Sequence, residues 1–469
     1  MKTMRVAAGW LVVLAQFAVA DVSGSYGYTV SGGQATITNY TGAGGNVAIP
    51  ATLGGQPVAI IGYQAFRNQA AVTGVTLPDS VTGIEMSAFS GCTGLTNLNL
   101  GTGLVRISHW AFSGCSALPG VTIPGSVVHI DTGAFNNCRA LTNVTLQEGV
   151  RNIGPDVFYG CSNLPALHLP ASLTNFYGGA LGQCYRLSSL TVAAGNPVYK
   201  IVGGVLFSTN GTRLVRYPPA RAGTTYSIPN GVVEIEEEAF QSCGLLTGIT
   251  VPAGVTRIRN AVFWECTGLT RVDLPDSVVA IESNAFRSCT VLANVLIGSG
   301  VETIGRWAFA WNPALAGVHF AGNAPEAHAE AFLESTPTVY YRAGTTGWGA
   351  TLAGRPTALW ALYPAPMHQA WDDGYTDLGG GWRRLTWFGD YIPMGDWIFH
   401  NQHGFWYPAA NSTPPDIWFF TQDMGWLWTG NATYPFLYRA SDGAWLWYNG
   451  AVNPRWFRNM TAGTWESRP

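Results

Sequence analysis

A spacing of 23 residues governs the middle of the chain and restricts its fold more than any other feature. Phe66, Phe89, Phe112, Phe135 and Phe158 follow one another at that step, and Phe240, Phe263, Phe286, Phe309 and Phe332 resume it after one interruption. Leu181, after Ala180, takes the place of the sixth phenylalanine. The unit reads C-x-x-L-x-x-[VIL]-x-[LIV]-P-x-x-[VL]-x-x-I-x-x-x-A-F-x-x, and stands clearly at Cys115, Leu118, Val121, Ile123, Pro124, Val127, Ile130, Ala134 and Phe135. Val121-Thr122-Ile123 alternates apolar and polar residues, the period of a half-buried strand. The stretch from Val127 to Ile130 is a second short extended segment, and the Ala-Phe stretch has room for no more than a turn of helix. One such unit cannot cover its own apolar face, so successive units must stack in register around a shared core. The expected fold is a β-rich solenoid of about eleven coils with parallel strands, roughly 50 Å long at the spacing of neighbouring strands.

The same period explains the cysteines. Cys92, Cys115, Cys138, Cys161, Cys184, Cys243, Cys266 and Cys289 each stand three residues after the Phe position, one per coil, and the chain has no others. Equivalent places in successive rungs have parallel Cβ vectors, which is poor disulfide geometry. A structural ladder of free, buried thiols is expected. Gln69 and Asn312 hold this place in two other repeats and have side chains able to bond loop backbone. Neither a C-x-x-C pair nor a histidine cluster accompanies the thiols, so no metal and no cofactor is expected.

This unit is similar to the 23-residue leucine-rich repeat of the BspA-like class of bacterial surface proteins, over about Val58 to Ser335. The resemblance implies an exported, non-enzymatic solenoid used for adhesion or protein recognition. The chain then divides into a signal peptide at 1–20, an N-terminal cap at 21–57 similar to that of the family, and the solenoid at 58–335 with an inserted hairpin at about 193–229. A C-terminal cap at 336–362, a linker at 363–381 and a Trp-rich β-hairpin module at 382–469 complete it. The signal is read from basic Lys2 and Arg5, the apolar run Val6 to Val19 and the small residues Ala18 and Ala20, with cleavage near Ala20. The run contains Gln16 and falls short of the roughly 20 residues that cross a bilayer, so no membrane span is expected.

Leu181 and Phe240 are 59 residues apart, so extra material interrupts the repeat. Asn210-Gly211 between alternating apolar stretches predicts a hairpin with a type I′ turn, protruding from one face. Its basic residues Lys200, Arg213, Arg216 and Arg221 form either a contact site or a loop with no dedicated partner. The outward residues of the first strands are Thr76, Asn99, Thr122, Thr145, His168, Thr191, Thr250, Asp273, Leu296 and His319. Threonine suits a solvated strand face as well as it suits a ligand surface. The acidic run Glu234 to Glu238 is expected at a solvated edge. Only 11% of residues are charged and the net charge is -3, which leaves no footprint for nucleic acid. No H-E-x-x-H, G-x-S-x-G or Walker sequence is present. His109, His129 and His168 belong to different rungs.

The last 88 residues hold 11 Trp, 7 Phe and 5 Tyr. Aromatic strands flank Gly404, Gly425 and Gly443, which predicts three consecutive hairpins. The Gly-Trp and Gly-x-Trp elements loosely resemble the aromatic hairpin repeats by which some bacterial proteins hold cell-wall choline or glucan. Candidate ligand contacts are Trp397, Trp406, Trp418, Trp426, Trp428, Trp445 and Trp447, with a packed aromatic core as the other reading. His400 and His403 have an unremarkable spacing for a strand or turn and are not taken as metal ligands. The expected function is a secreted or cell-surface recognition protein without catalytic residues, binding protein or polysaccharide. The alternatives are a carbohydrate-binding component of a glycan-degrading system and a structural envelope protein.

Overall fold

The computed structural model describes residues 21–360 throughout. Beyond them it describes strand backbones between Thr376 and Arg468, the side chains of Leu427, Leu437, Arg439 and Leu446, and residues 458–460 and 462–466. The signal at 1–20 lies outside the described residues, as does the linker apart from the strand Thr376–Gly379. The chain forms two compact units, one running to Thr338 with Thr351–Pro356, the other comprising Val339–Ala350 and Thr357–Pro469.

In the first unit the regular coils have two short strands, which pair in parallel with their counterparts one coil away, while strands of the N-terminal segment and of the interruption also pair antiparallel. Gly120–Ile123 lies beside Asn143–Leu146 with Thr122 opposite Thr145, and His129–Ile130 lies beside Asn152–Ile153. Both pairings hold the 23-residue step, so each side chain meets its equivalent in the next coil. Alternation then sends Val121 and Ile123 inward and Thr122 to solvent. The turn after the second strand carries the phenylalanine. Its N–H donates to the carbonyl of the residue preceding the next ring position, as in Phe89 to Ala111 at 2.7 Å and Phe112 to Ala134 at 2.8 Å. The rings stack in two columns with Leu181 between them: Phe89 and Phe112 are 5.1 Å apart and 2° from parallel, Phe286 and Phe309 5.3 Å and 3°.

The columns are longer than the repeat count predicts. Tyr40 stacks on Phe66 at 4.7 Å, and Tyr217, 23 residues before Phe240, stacks on it at 5.2 Å. Both act as ring residues of additional coils, giving a solenoid of about 13 turns. The sequence pattern hides them because tyrosine replaces the Ala-Phe signature.

The interruption differs from its expectation accordingly. Val205–Ser208 and Arg213–Arg216 do pair antiparallel, but Val205 to Ser208 are all buried and the second strand joins Glu234–Ile235 in parallel. The hairpin is thus built into the solenoid wall. Gly211 has a φ of 78° whereas Asn210 is not left-handed, so the turn is not type I′. The Asn210 Oδ1 instead accepts from the Ser208 hydroxyl at 2.6 Å and the Thr212 N–H at 3.2 Å. The basic residues do not cluster: Arg216 is fully buried, Arg213 pairs with Glu236 at 3.1 Å, and Arg221 lies over Tyr217 and Tyr226.

In the second unit, eleven strands from Thr376–Gly379 to Thr464–Arg468 form one sheet in sequence order, each antiparallel to the next. The three hairpins read around Gly404, Gly425 and Gly443 are among them.

Candidate functional site

The inner side of the turns holds the cysteines. All eight are free and buried, and their thiols donate to the ring residue's carbonyl one coil earlier. Cys92 reaches the Phe66 carbonyl at 3.1 Å, Cys184 that of Phe158 at 3.2 Å and Cys289 that of Phe263 at 3.1 Å. Gln69, Asn312 and Ser335 serve Tyr40, Phe286 and Phe309 in the same way at 3.0, 2.9 and 2.7 Å. The position therefore calls for a hydrogen-bond donor. Burial pushes the Cys138 and Cys289 thiols up to about 12, which makes them poor nucleophiles. Alkylation of denatured, unreduced protein is expected to add eight labels, and a brief exposure of native protein none; a denatured mass without labels would mean bridges.

A polar seam interrupts this order. Tyr217 is followed by Pro218 and Pro219, so its coil lacks the usual turn, and the turns of Leu181 and Phe240 meet across the gap. Glu265 accepts from Gln183 and Tyr185 at 3.3 Å and from Ser242 at 3.1 Å. A Cβ at Gly182 would fall 2.4 Å from the Gln241 Oε1. Of the acidic run, Glu237 is exposed as expected of a solvated edge, whereas Glu236 and Glu238 are half-buried in this seam and burial raises both to about 7. Arg216 donates to the carbonyls of Leu181 at 2.9 Å, Gln241 at 3.2 Å and Glu238.

On the first strands, Thr76, Asn99, Thr122, Thr145, His168, Thr191, Thr250 and Asp273 are exposed, and strand pairing puts them in register two by two, with His168 and Thr191 at 2.9 Å. Leu296 and His319 are half-buried, and burial lowers His319 to about 4. The histidines at 109, 129 and 168 remain on separate coils, and among the described residues no three His, Cys, Asp or Glu side chains are grouped to hold a metal.

The outer side of the turns carries a group that sequence reasoning missed. Most coils use a left-handed residue two before and two after the ring. Gln64, Ser87, Trp110, Gly133, Asp156, Glu238, Ala261 and Asn284 take the first place, and Asn68, Gly91, Gly160, Gln183, Glu265, Ser288 and Glu334 are among those at the second. In the coil of Phe309 both places are tryptophan, Trp307 at φ 60° and Trp311 at φ 56°. The Arg287 guanidinium lies 4.3 Å from the Trp311 ring centre, 5.1 Å from Trp264 and 5.4 Å from Trp307. Writing the repeats in columns would have exposed these indoles, since no other coil has tryptophan at both places.

In the second unit Trp397, Trp406, Trp418, Trp426, Trp428, Trp445 and Trp447 stand on strands, with Trp418 in register with Trp428. Their side chains, and those of His400 and His403, lie outside the described residues. Leu427, Leu437 and Leu446 are fully buried. Arg439, 7% exposed, holds Glu466 through two bonds of 2.6 and 3.1 Å.

The sequence family described as BspA type leucine rich repeat region matches residues 59–192 and 222–338 in six copies. The chain belongs to this family. Among solved structures the repeat is similar to the pneumococcal vaccine antigen PcpA, with 23% identity and a TM-score of 0.59 over 69% of this chain and 87% of that one. It is also similar to a leucine-rich cell surface protein of Faecalibacterium prausnitzii, with 31% identity and a TM-score of 0.49 over 65% of this chain and 95% of that one. A leucine-rich-repeat protein of Eubacterium ventriosum is 21% identical with a TM-score of 0.48, over 69% of this chain and 84% of that one. No match was found among curated proteins. No helix among the described residues is long and apolar enough to cross a membrane.

Proposed function

We propose that the chain is an exported, non-catalytic recognition or adhesion protein, whose solenoid binds protein or glycan at a cell surface and whose Trp-rich module retains it there. One observation carries the reading. The core closes upon itself through the ring columns and the thiol donors, while eight exposed side chains from Thr76 to Asp273, in register two by two, have no part in that core. A rigid, regular face free of structural duty suits a partner that is itself extended. Membership of a leucine-rich-repeat family supports the same role. For the module, Leu427 stands between positions 426 and 428 and Leu446 between 445 and 447, and both leucines are fully buried. Alternate positions of a strand belong to opposite faces, which favours the paired tryptophans as ligand contacts over core.

Co-sedimentation of the intact chain with insoluble cell-wall and glucan preparations tests the anchor. The wild type is expected in the pellet, and the full-length double variant Trp426→Ala, Trp445→Ala weakened by about tenfold. A wild type that stays in the supernatant would remove the anchor role. Turnover of any glycan by the purified protein would replace the non-catalytic reading with the glycan-degrading one.

A further inference from the structure

We infer that the open edge of the strand Ser189–Val192 is a docking site for an extended peptide of a partner protein, added as one more strand and carrying an acidic side chain for Lys200. The inference deepens the reading of the solenoid as a recognition surface and rests on it.

Ser189–Val192 is the first strand of the irregular coil. It pairs with Ala166–Leu169 of the coil before, and no strand pairs with its other edge. The chain leaves it for the hairpin that starts with Tyr199–Val202, and the next first strand, Thr225–Ser227, pairs only with Gly248–Thr250. The first strands are also unpaired before Gly120 and before Ala166, for another reason. Pro119 and Pro165 there lack the N–H that would reach the preceding coil, while the next coil's strand still lies alongside.

The open edge has definite groups. Ser189 and Ala193 donate to the carbonyls of Pro165 and Leu169 at 3.3 and 2.9 Å, so Leu190 and Val192, in the alternate places, turn their N–H and C=O the other way. Among the described residues these groups have no partner. They face a cleft of about 460 Å³, whose further lining includes Asn196, Tyr199, Lys200 and Ile201. That wall is fixed before anything binds. Asn196 donates to the carbonyls of Pro170 and Leu173 at 2.9 and 3.0 Å and accepts from the Val198 and Tyr199 N–H groups at 2.9 and 2.8 Å. The Tyr199 hydroxyl in turn accepts from the Phe176 N–H at 2.9 Å.

Two observations select the occupant. Donors and acceptors that alternate at the spacing of a strand are matched by another peptide backbone, which a saccharide does not offer. Lys200 is the only charged residue lining the cleft, and among the described residues no carboxylate lies within ion-pair distance of it. Arg213 of the same hairpin, by contrast, has Glu236 at 3.1 Å. A peptide with an acidic residue at the level of Lys200 supplies both the backbone and the missing charge.

Fluorescence anisotropy of the intact protein with a labelled six-residue peptide, alternating valine and threonine around one aspartate, tests this. Binding is expected, weakened about fivefold in Lys200→Gln or when lysine replaces the aspartate. Lys200→Gln removes a cation that no acid holds, so its melting should match the wild type. Methylating the peptide's backbone nitrogens at one alternate set of residues should abolish binding and at the other leave it, because a strand bonds the open edge with one side only. Hydrogen exchange should show new protection at the Leu190 and Val192 amides. The proposal is overturned if the peptide does not bind, if the two methylated forms behave alike, if those amides stay unprotected, or if the charge changes leave affinity as it was. The cell-wall sedimentation result, which reads Trp426 and Trp445, stands or falls separately.

Discussion

Phe112→Ala is expected to lower the stability of the solenoid by about 3–5 kcal/mol, while Phe112→Leu should cost only about 1 kcal/mol. Phe112 is fully buried and its ring lies 5.1 Å from Phe89 and 5.2 Å from Phe135, nearly parallel to both. Alanine leaves a void that the neighbouring coils cannot close. Their separation is fixed by the backbone bonds from Phe89 to Ala111 and from Phe112 to Ala134, at 2.7 and 2.8 Å, on either side of the gap. Leucine is a milder change because the chain already uses Leu181 in this place with full burial. Denaturant unfolding of the full chain gives the loss, and hydrogen exchange locates it. In a stack of repeats that touch only their neighbours, opening should concentrate in the coils of Phe89, Phe112 and Phe135. Unchanged unfolding in Phe112→Ala would mean that the ring column contributes little.

That ring column was legible in the sequence wherever the period held, because in a solenoid sequence spacing and spatial stacking are the same quantity. The strand alternation, the buried thiols and the exposed threonines follow from it. What escaped the pattern did so for identifiable reasons. Tyr217 keeps the 23-residue step to Phe240, but it follows Arg216 instead of alanine, so its coil looked like insertion. Glu236 and Glu238 look like a solvated run because charge is usually solvated, and only the missing turn at Pro218-Pro219 draws them into the seam. The outer tryptophans escaped because a left-handed backbone angle leaves no signature in a single coil. It appears only when the equivalent positions of many coils are compared.

Arg216 shows how one irregular coil is reconciled with its regular neighbours, and Arg216→Met should cost about 3 kcal/mol or more. Three residues after Tyr217, where a thiol would serve the Leu181 carbonyl, the chain has Ala220. Arg216 supplies that missing bond at 2.9 Å and adds bonds to Gln241 and Glu238. Methionine keeps the stem and removes every donor, so the buried carbonyls lose partners that no water replaces. The loss should also depend on pH. Burial raises the folded-state pKa of Glu236 and Glu238 to about 7, above the ordinary 4.5. The folded protein therefore holds protons that the unfolded chain releases. Their contribution to stability is full below about 4.5 and is lost as pH rises through about 7. The Arg216 charge opposes the rise at Glu238. Without it the folded pKa climbs further, and the loss extends to higher pH. Unfolding at pH 5 and pH 8 should show a larger deficit for Arg216→Met at pH 8. An equal deficit at both would leave Arg216 as a hydrogen-bond donor with no electrostatic role in the seam.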